Sequence, residues 1–137
     1  MNKIFRYFRV AILVIYVLSL GLVMTSCSIF GSSASQLRVT NAGTVPIQNL
    51  IVLFPEEKIE FGNIPPGGTT EFKRVAKGVY NYAAYSFDLD GINIGQPVID
   101  WVGEKPLEGD AFTYVVDLDP NREQMLMLRL QEVRRDQ

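Results

Sequence analysis

From Leu37 onward the chain is built of short apolar runs that are interrupted by Gly, Pro, Asn and Asp. No stretch keeps a helical spacing of apolar residues, so the pattern predicts an all-β domain. The candidate strands are residues 37–41, 48–54, 59–61, 69–75, 79–89, 91–94, 97–102, 112–118 and 125–133. We expect about seven or eight of these segments to form strands.

Alternation within the longer segments predicts which side chains face the core. The expected core-facing positions are Phe112, Tyr114, Val116 and Leu118 in one segment and Leu126, Leu128 and Leu130 in the last one. In residues 79–89 one face holds Ala83, Tyr85, Phe87 and Leu89, and the other holds Tyr80, Tyr82, Ser86 and Asp88. The last segment, residues 124–135, is also rich in helix-forming residues, but its strict alternation favours a strand over a terminal helix.

Turn residues separate these strands at intervals that suit a sandwich of antiparallel strands. Asp90-Gly91 lies between apolar runs and predicts a tight hairpin, because glycine accepts a positive φ. We therefore predict an immunoglobulin-like or fibronectin-like antiparallel β-sandwich. A small, partly open β-barrel remains the alternative, since strand count and spacing do not separate the two.

The N-terminus has the pattern of an export signal. Lys3, Arg6 and Arg9 precede an almost wholly apolar stretch, residues 10–24. This stretch is shorter than the roughly 20 apolar residues that a helix needs to cross a bilayer. We therefore interpret it as a cleaved signal and not as a permanent transmembrane helix.

The four residues Met24-Thr25-Ser26-Cys27 follow that apolar stretch and resemble the lipobox of bacterial lipoproteins, although Met24 stands where leucine is usual. The resemblance implies that a diacylglycerol is attached to the Cys27 thiol, that the chain is cut before Cys27 and that the new amino group is often acylated. It divides the chain into a signal peptide (1–26), a lipidated cysteine with a flexible tether (27–36) and a β-sandwich domain (37–137). The domain has the general pattern of Ig-like domains of bacterial surface lipoproteins.

Localisation follows from the same resemblance. A lipid anchor on Cys27 implies a protein that is exported from the cytoplasm and held at a membrane. The serine after this cysteine resembles outer-membrane lipoproteins, if the host is a diderm bacterium. The tether is rich in serine and short, so the domain is expected to stay close to the membrane.

Charge and composition narrow the possible functions. The net charge is −2, and removal of Lys3, Arg6 and Arg9 with the signal lowers it by three, to −5. An acidic domain is repelled by nucleic acid and by anionic headgroups. The sequence contains no histidine and a single cysteine, which removes the commonest general base and any internal disulfide. We expect no enzyme activity, no cofactor and no metal site.

Two acidic segments partly match known kinds of site, a calcium loop and a pair of catalytic carboxylates, but neither match is complete. The segment Asp88-Leu89-Asp90-Gly91 begins like a calcium loop but lacks the later bidentate glutamate, so a hairpin turn is the better interpretation. Acidic residues also cluster further on, as Asp100, Glu104, Glu108 and Asp110. Without a second catalytic group we interpret these residues as part of a solvated loop, and a divergent hydrolase as the least favoured function.

The segment 101–110 is the candidate contact surface, because binding usually resides in loops on a rigid sandwich. Its candidate binding residues are Trp101, Glu104 and Leu107, of which Leu107 has no obvious core to enter. The function we expect is a non-enzymatic, lipid-anchored domain that contacts an envelope protein or polymer. The alternative is a carbohydrate or small-ligand module, which would need Tyr80, Tyr82 and Trp101 in an exposed, coplanar row; rings buried in the core would favour the interaction domain.

Overall fold

The computed structural model describes residues 34–98 and 100–137. The predicted signal, Cys27, the tether up to residue 33 and Ile99 lie outside the described residues. The described part forms eight strands and a short 3-10 helix, Gln124–Leu126. The strands are β1 (Ser35–Asn41), β2 (Ile47–Leu53), β3 (Lys58–Ile64), β4 (Lys73–Val75), β5 (Ala84–Leu89), β6 (Ile92–Gln96), β7 (Ala111–Leu118) and β8 (Leu128–Asp136). Within this part, no helix has the length and apolar character to span a bilayer.

The strands form two four-stranded sheets that enclose one core. Sheet A has the order β4-β1-β7-β8, and sheet B has the order β3-β2-β5-β6. The predicted β-sandwich is therefore confirmed, in preference to the partly open barrel. This strand order differs from that of an immunoglobulin constant domain, in which the first two strands share a sheet.

One strand pair departs from the predicted antiparallel arrangement. β1 and β7 are parallel, with Leu37 opposite Phe112 and Val39 opposite Tyr114. All other pairs are antiparallel, so sheet A is mixed. A parallel pair requires a long connection, and here the whole of sheet B lies between β1 and β7 along the chain.

Alternating side chains of both sheets fill the core, as the sequence pattern predicted. All four predicted positions of β7 are buried: Phe112, Tyr114, Val116 and Leu118. β1 contributes Leu37 and Val39, and β5 contributes Tyr85 and Phe87. Burial of such large apolar side chains contributes about 1.5–3 kcal/mol each, and is the main source of stability.

Three predicted strands are shorter than expected or absent. The strand predicted at residues 69–75 is reduced to β4, Lys73–Val75. Residues 79–83 do not continue β5: the Tyr114 hydroxyl donates a hydrogen bond to the Tyr80 carbonyl, which holds this segment as a loop. Tyr80 and Tyr82 therefore do not lie on an outer strand face. Residues 97–102 form no strand in their described part, because Pro97 has no N–H to donate and the Asp100 carboxylate accepts the Val102 N–H in a turn (2.8 Å).

The last segment is a strand, as the alternation predicted, and not a terminal helix. It begins at Leu128, three residues later than predicted, because the connection from β7 uses the preceding residues as a turn and a 3-10 helix. Leu126 lies in that helix and is exposed, so its predicted place in the core is wrong. At the other end of the domain, β1 begins at Ser35, before the predicted Leu37.

The buried side chain of Asn41 connects the turn after β1 with the end of β3. Asn41 is fully buried, and its amide donates to the carbonyls of Val45 (2.9 Å) and Ile64 (3.2 Å). The tight hairpin predicted at Asp90-Gly91 joins β5 and β6, with φ of 51° and 78° at its two residues. A β-hairpin turn of this kind requires positive φ at both positions.

Candidate functional site

The segment formed by the described residues 97–98 and 100–110 lies at the end of the sandwich where β1 begins, which we call the entry end. The Ser35 hydroxyl donates to the Gly109 carbonyl (2.8 Å), and the Gln36 N–H donates to the Asp110 carbonyl (2.7 Å). The β4–β5 connection meets the segment as well, since the Leu107 N–H donates to the Val79 carbonyl (2.7 Å). These bonds place the predicted contact segment against the first residues of the domain.

Trp101 belongs to an aromatic cluster that fixes one side of the segment. Its ring stacks on Tyr82, with centroids 5.1 Å apart and an interplanar angle of 26°. Tyr80 meets the same ring edge-on, at 5.5 Å and 75°. Tyr80 also contacts Phe54 of the core at 5.5 Å. The cluster thus extends from the core to the surface.

This geometry differs from the one that the carbohydrate alternative needs. Tyr80 is steeply inclined to Trp101, and all three rings are half-buried. Tyr82 covers part of the Trp101 ring face that a sugar would use. Tyr80, Tyr82 and Trp101 therefore do not form an exposed, coplanar row, and their contacts are mainly with each other.

Leu107 fixes the other side of the segment. It is half-buried and packs against the core, so the expectation that it has no core to enter is wrong. This packing was not evident from the sequence, because the Leu107 backbone bonds to Val79, in a loop before β5 that was predicted to be part of a strand. Trp101 and Leu107 thus act as supports, and a ligand has only part of each side chain to contact.

Between these two supports, residues 102–105 form an exposed tip. The Glu104 N–H donates to the Trp101 carbonyl (3.2 Å), and Gly103 has a φ of 81°, so the backbone turns tightly here. Val102 is 89% exposed, the highest value for a large apolar residue in the described part of the chain. Glu104 and Lys105 are exposed beside it. Val102 lies within the predicted contact segment, but it was not among the candidate binding residues, because the strand predicted at residues 97–102 included it.

Tyr82 links the aromatic cluster to the tip. Its hydroxyl donates to the Asp100 carbonyl (2.9 Å). Partial burial raises the pKa of the Tyr82 phenol, and the adjacent Glu104 carboxylate raises it further. The phenol therefore stays protonated at neutral pH and serves as a hydrogen-bond donor.

The acidic residues of the segment have ordinary, solvated surroundings. The side chains of Asp100, Glu104, Glu108 and Asp110 are all exposed. At the opposite end of the sandwich, both carboxylate oxygens of Asp88 accept amide protons, from Asn49 (2.6 Å) and Asn93 (2.8 Å). These bonds lower the pKa of Asp88. Among the described residues, no group of three acidic or cysteine side chains is placed to hold a metal.

A shallow apolar depression adjoins the start of the segment. It has a volume of about 330 Å³ and lies where β2, β5 and β6 run side by side. Leu53, Ala84 and Pro97 are among the residues that line it. The surface next to Pro97 is therefore less polar than the tip.

Comparisons with known proteins bear on the fold and not on the function. No protein-family model matches this chain, and no curated protein matches it. The chain is similar to a solved structure described as an NMR structure of the protein from Eubacterium rectale, with a TM-score of 0.50 and 15% sequence identity. The match covers 77% of this chain and 96% of that one. At this identity the similarity concerns the fold alone.

Proposed function

We propose that this chain is a bacterial lipoprotein, held at the cell envelope by a lipid on Cys27, and that its β-sandwich is a non-enzymatic domain that contacts an envelope protein or polymer. The support for the anchor is the charged and apolar signal pattern followed by Met24-Thr25-Ser26-Cys27. Two or more acyl chains make such an anchor stable, since each buried methylene contributes about 0.8 kcal/mol.

The observation that carries the contact function is the supported tip. Trp101 and Leu107 pack onto the sandwich, whereas Val102 and Glu104 between them are exposed. An interaction through a supported loop loses less conformational entropy than one through a free loop. We therefore propose Val102 and Glu104 as contact residues, with Trp101 and Leu107 partly exposed at the base of the tip.

Metabolic labelling with a fatty acid in the host tests the anchor. The wild-type chain and a Ser28→Ala control should incorporate label and fractionate with membranes. Cys27→Ala should incorporate none and keep its signal, because processing depends on the thioether. Equal labelling of Cys27→Ala and wild type would overturn the anchor.

Partner capture in the envelope tests the tip. Val102→Asp with Glu104→Lys should abolish crosslinking to the partner and leave the thermal midpoint unchanged, since both side chains are exposed. The control is a change on the far side of the domain, Thr44→Lys, which should leave capture intact. Unchanged capture by the double variant at unchanged stability would remove the tip as the contact surface.

A further inference from the structure

The end of the sandwich opposite to the entry end carries apolar side chains that the described part of the chain leaves open to solvent. They are Ile92 (65% exposed), Met125 (47%) and Leu126 (54%), which we call the distal patch. Ile92 begins β6, and the other two lie in the 3-10 helix that packs beside β6. The Gln124 amide donates to the Gly95 carbonyl (3.4 Å) and links the two elements.

The register of β6 explains why this surface is apolar. Ile92 pairs with Leu89, Ile94 pairs with Phe87 and Gln96 pairs with Tyr85. Ile92 and Ile94 therefore lie on the same side of sheet B as the buried Phe87, which is the side that faces the core. Ile92 is nevertheless largely exposed, so this side is open to solvent at the start of β6.

The strand directions place each part of the patch at the end of its own sheet that is opposite to the entry end. β7 runs parallel to β1 and away from Ser35, so the connection that contains the 3-10 helix lies at the far end. The hairpin at Asp90-Gly91 lies at that end too, because Asp88 pairs with Gln48 at the start of β2. In the proposed lipoprotein the tether joins β1 at the entry end, so the distal patch and the point of attachment lie at opposite ends of the domain.

The rim of the patch is acidic. Asp90 precedes Ile92 by two residues and Glu123 precedes the 3-10 helix. Both are exposed, and neither takes part in an ion pair within the described residues. The nearby Arg122 is paired with Asp119 (3.1 Å), so it does not neutralise them. The patch thus combines an apolar centre with uncompensated negative charge.

We infer that the distal patch is a docking surface for a protein segment that has apolar side chains at its centre and Lys or Arg around them. Exposed apolar side chains on two elements that contact each other mark an interaction site, and the acidic residues that flank them along the chain select a basic partner. A second copy of this chain would bring acidic rims together, and anionic lipid would be repelled. The inference goes beyond the proposed function, and only the position of the patch relative to the point of attachment rests on the lipid anchor.

Site-specific photocrosslinking in intact host cells tests this inference with the full chain. A photoreactive amino acid is placed at Met125 and, as a matched control, at Thr44, which is exposed in the β1–β2 connection at the same end. Adducts are identified by the mass of the crosslinked peptides. The same mass spectrum reports whether Cys27 is acylated, so failure of the anchor is distinguished from failure of the docking surface.

The expected result is a protein adduct at position 125, absent at position 44, whose crosslinked peptide holds apolar residues next to Lys or Arg. The double change Asp90→Lys with Glu123→Lys should lower its yield by about fivefold or more at an unchanged thermal midpoint. An adduct with a second copy, an adduct with lipid, or equal yields at both positions would overturn the inference. An adduct yield that stays the same after the charge reversal would also overturn the inference.

Discussion

Of two buried tyrosines in the core, one has a hydrogen-bond partner for its hydroxyl and the other has none among the described residues. Tyr114 is fully buried, and its hydroxyl donates to the Tyr80 carbonyl. The Tyr85 hydroxyl is also buried, but it has no partner among the described residues. A buried polar group without a hydrogen bond costs free energy, whereas a satisfied one stabilises modestly. The same chemical change at these two positions should therefore have different effects.

Tyr114→Phe should lower the free energy of unfolding by about 1–2 kcal/mol, because it leaves the Tyr80 carbonyl without its donor. Tyr85→Phe serves as the matched control and should leave stability unchanged or raise it. Urea unfolding of both variants measures the difference. An equal loss of unfolding free energy in both variants would contradict the assigned difference in hydrogen bonding between the two hydroxyls.

The same tyrosines predict a loss of stability at alkaline pH. Burial raises the pKa of both phenols, Tyr85 and Tyr114, well above their usual range. Above pH about 10 the unfolded chain releases these protons while the folded chain retains them, so the free energy of unfolding falls as pH rises. Urea midpoints between pH 7 and 11 should show this fall, and Tyr85→Phe should reduce it. Identical profiles for wild type and Tyr85→Phe would contradict the assignment.

At the scale of the elements, one side chain joins the two sheets at their edges. The Gln96 amide of β6 donates to the Leu128 carbonyl of β8 (2.6 Å), and its oxygen accepts the Leu128 N–H (3.0 Å). The Gln96 side chain thus makes the pair of backbone hydrogen bonds that a neighbouring strand would make to Leu128. It does so at the point where sheet B meets sheet A. It also fixes the start of β8, after the irregular connection from β7.

Gln96→Ala should lower the free energy of unfolding by about 1–3 kcal/mol, since both polar groups of Leu128 lose their partner. Gln124→Ala is the control, because Gln124 is exposed and makes one long bond, and it should have little effect. Thermal unfolding with hydrogen exchange at Leu128 reports both stability and local opening. Unchanged protection of the Leu128 amide in Gln96→Ala would contradict this role.

The sequence pattern predicted those elements whose structure depends on alternation and turn residues. β7 has its core-facing residues where expected, and Asp90-Gly91 forms the expected hairpin. It failed where a distant side chain decides the local structure, as when Tyr114 holds the backbone at Tyr80. The supporting positions of Trp101 and Leu107 depend on the same loop, so the exposed Val102 between them was not predictable from local pattern.

At the scale of the whole molecule, we propose a different contact surface at each end of the sandwich. The entry end receives the tether, which spans seven residues between Cys27 and Ser35 and reaches about 25–29 Å at most when extended. With the proposed lipid on Cys27, this tether would hold the domain close to the membrane. The distal patch lies at the other end, where its exposed side chains are available to the proposed partner.

The lipid on Cys27 is the central claim, because the proposed place of the domain at the cell envelope depends on it. The intact mass of the protein, purified from the membranes of its host, tests it most directly. The account predicts a chain that begins at Cys27 and carries the added mass of a diacylglycerol, with or without a further acyl group. A chain that retains residues 1–26, or one with an unmodified Cys27, would contradict it.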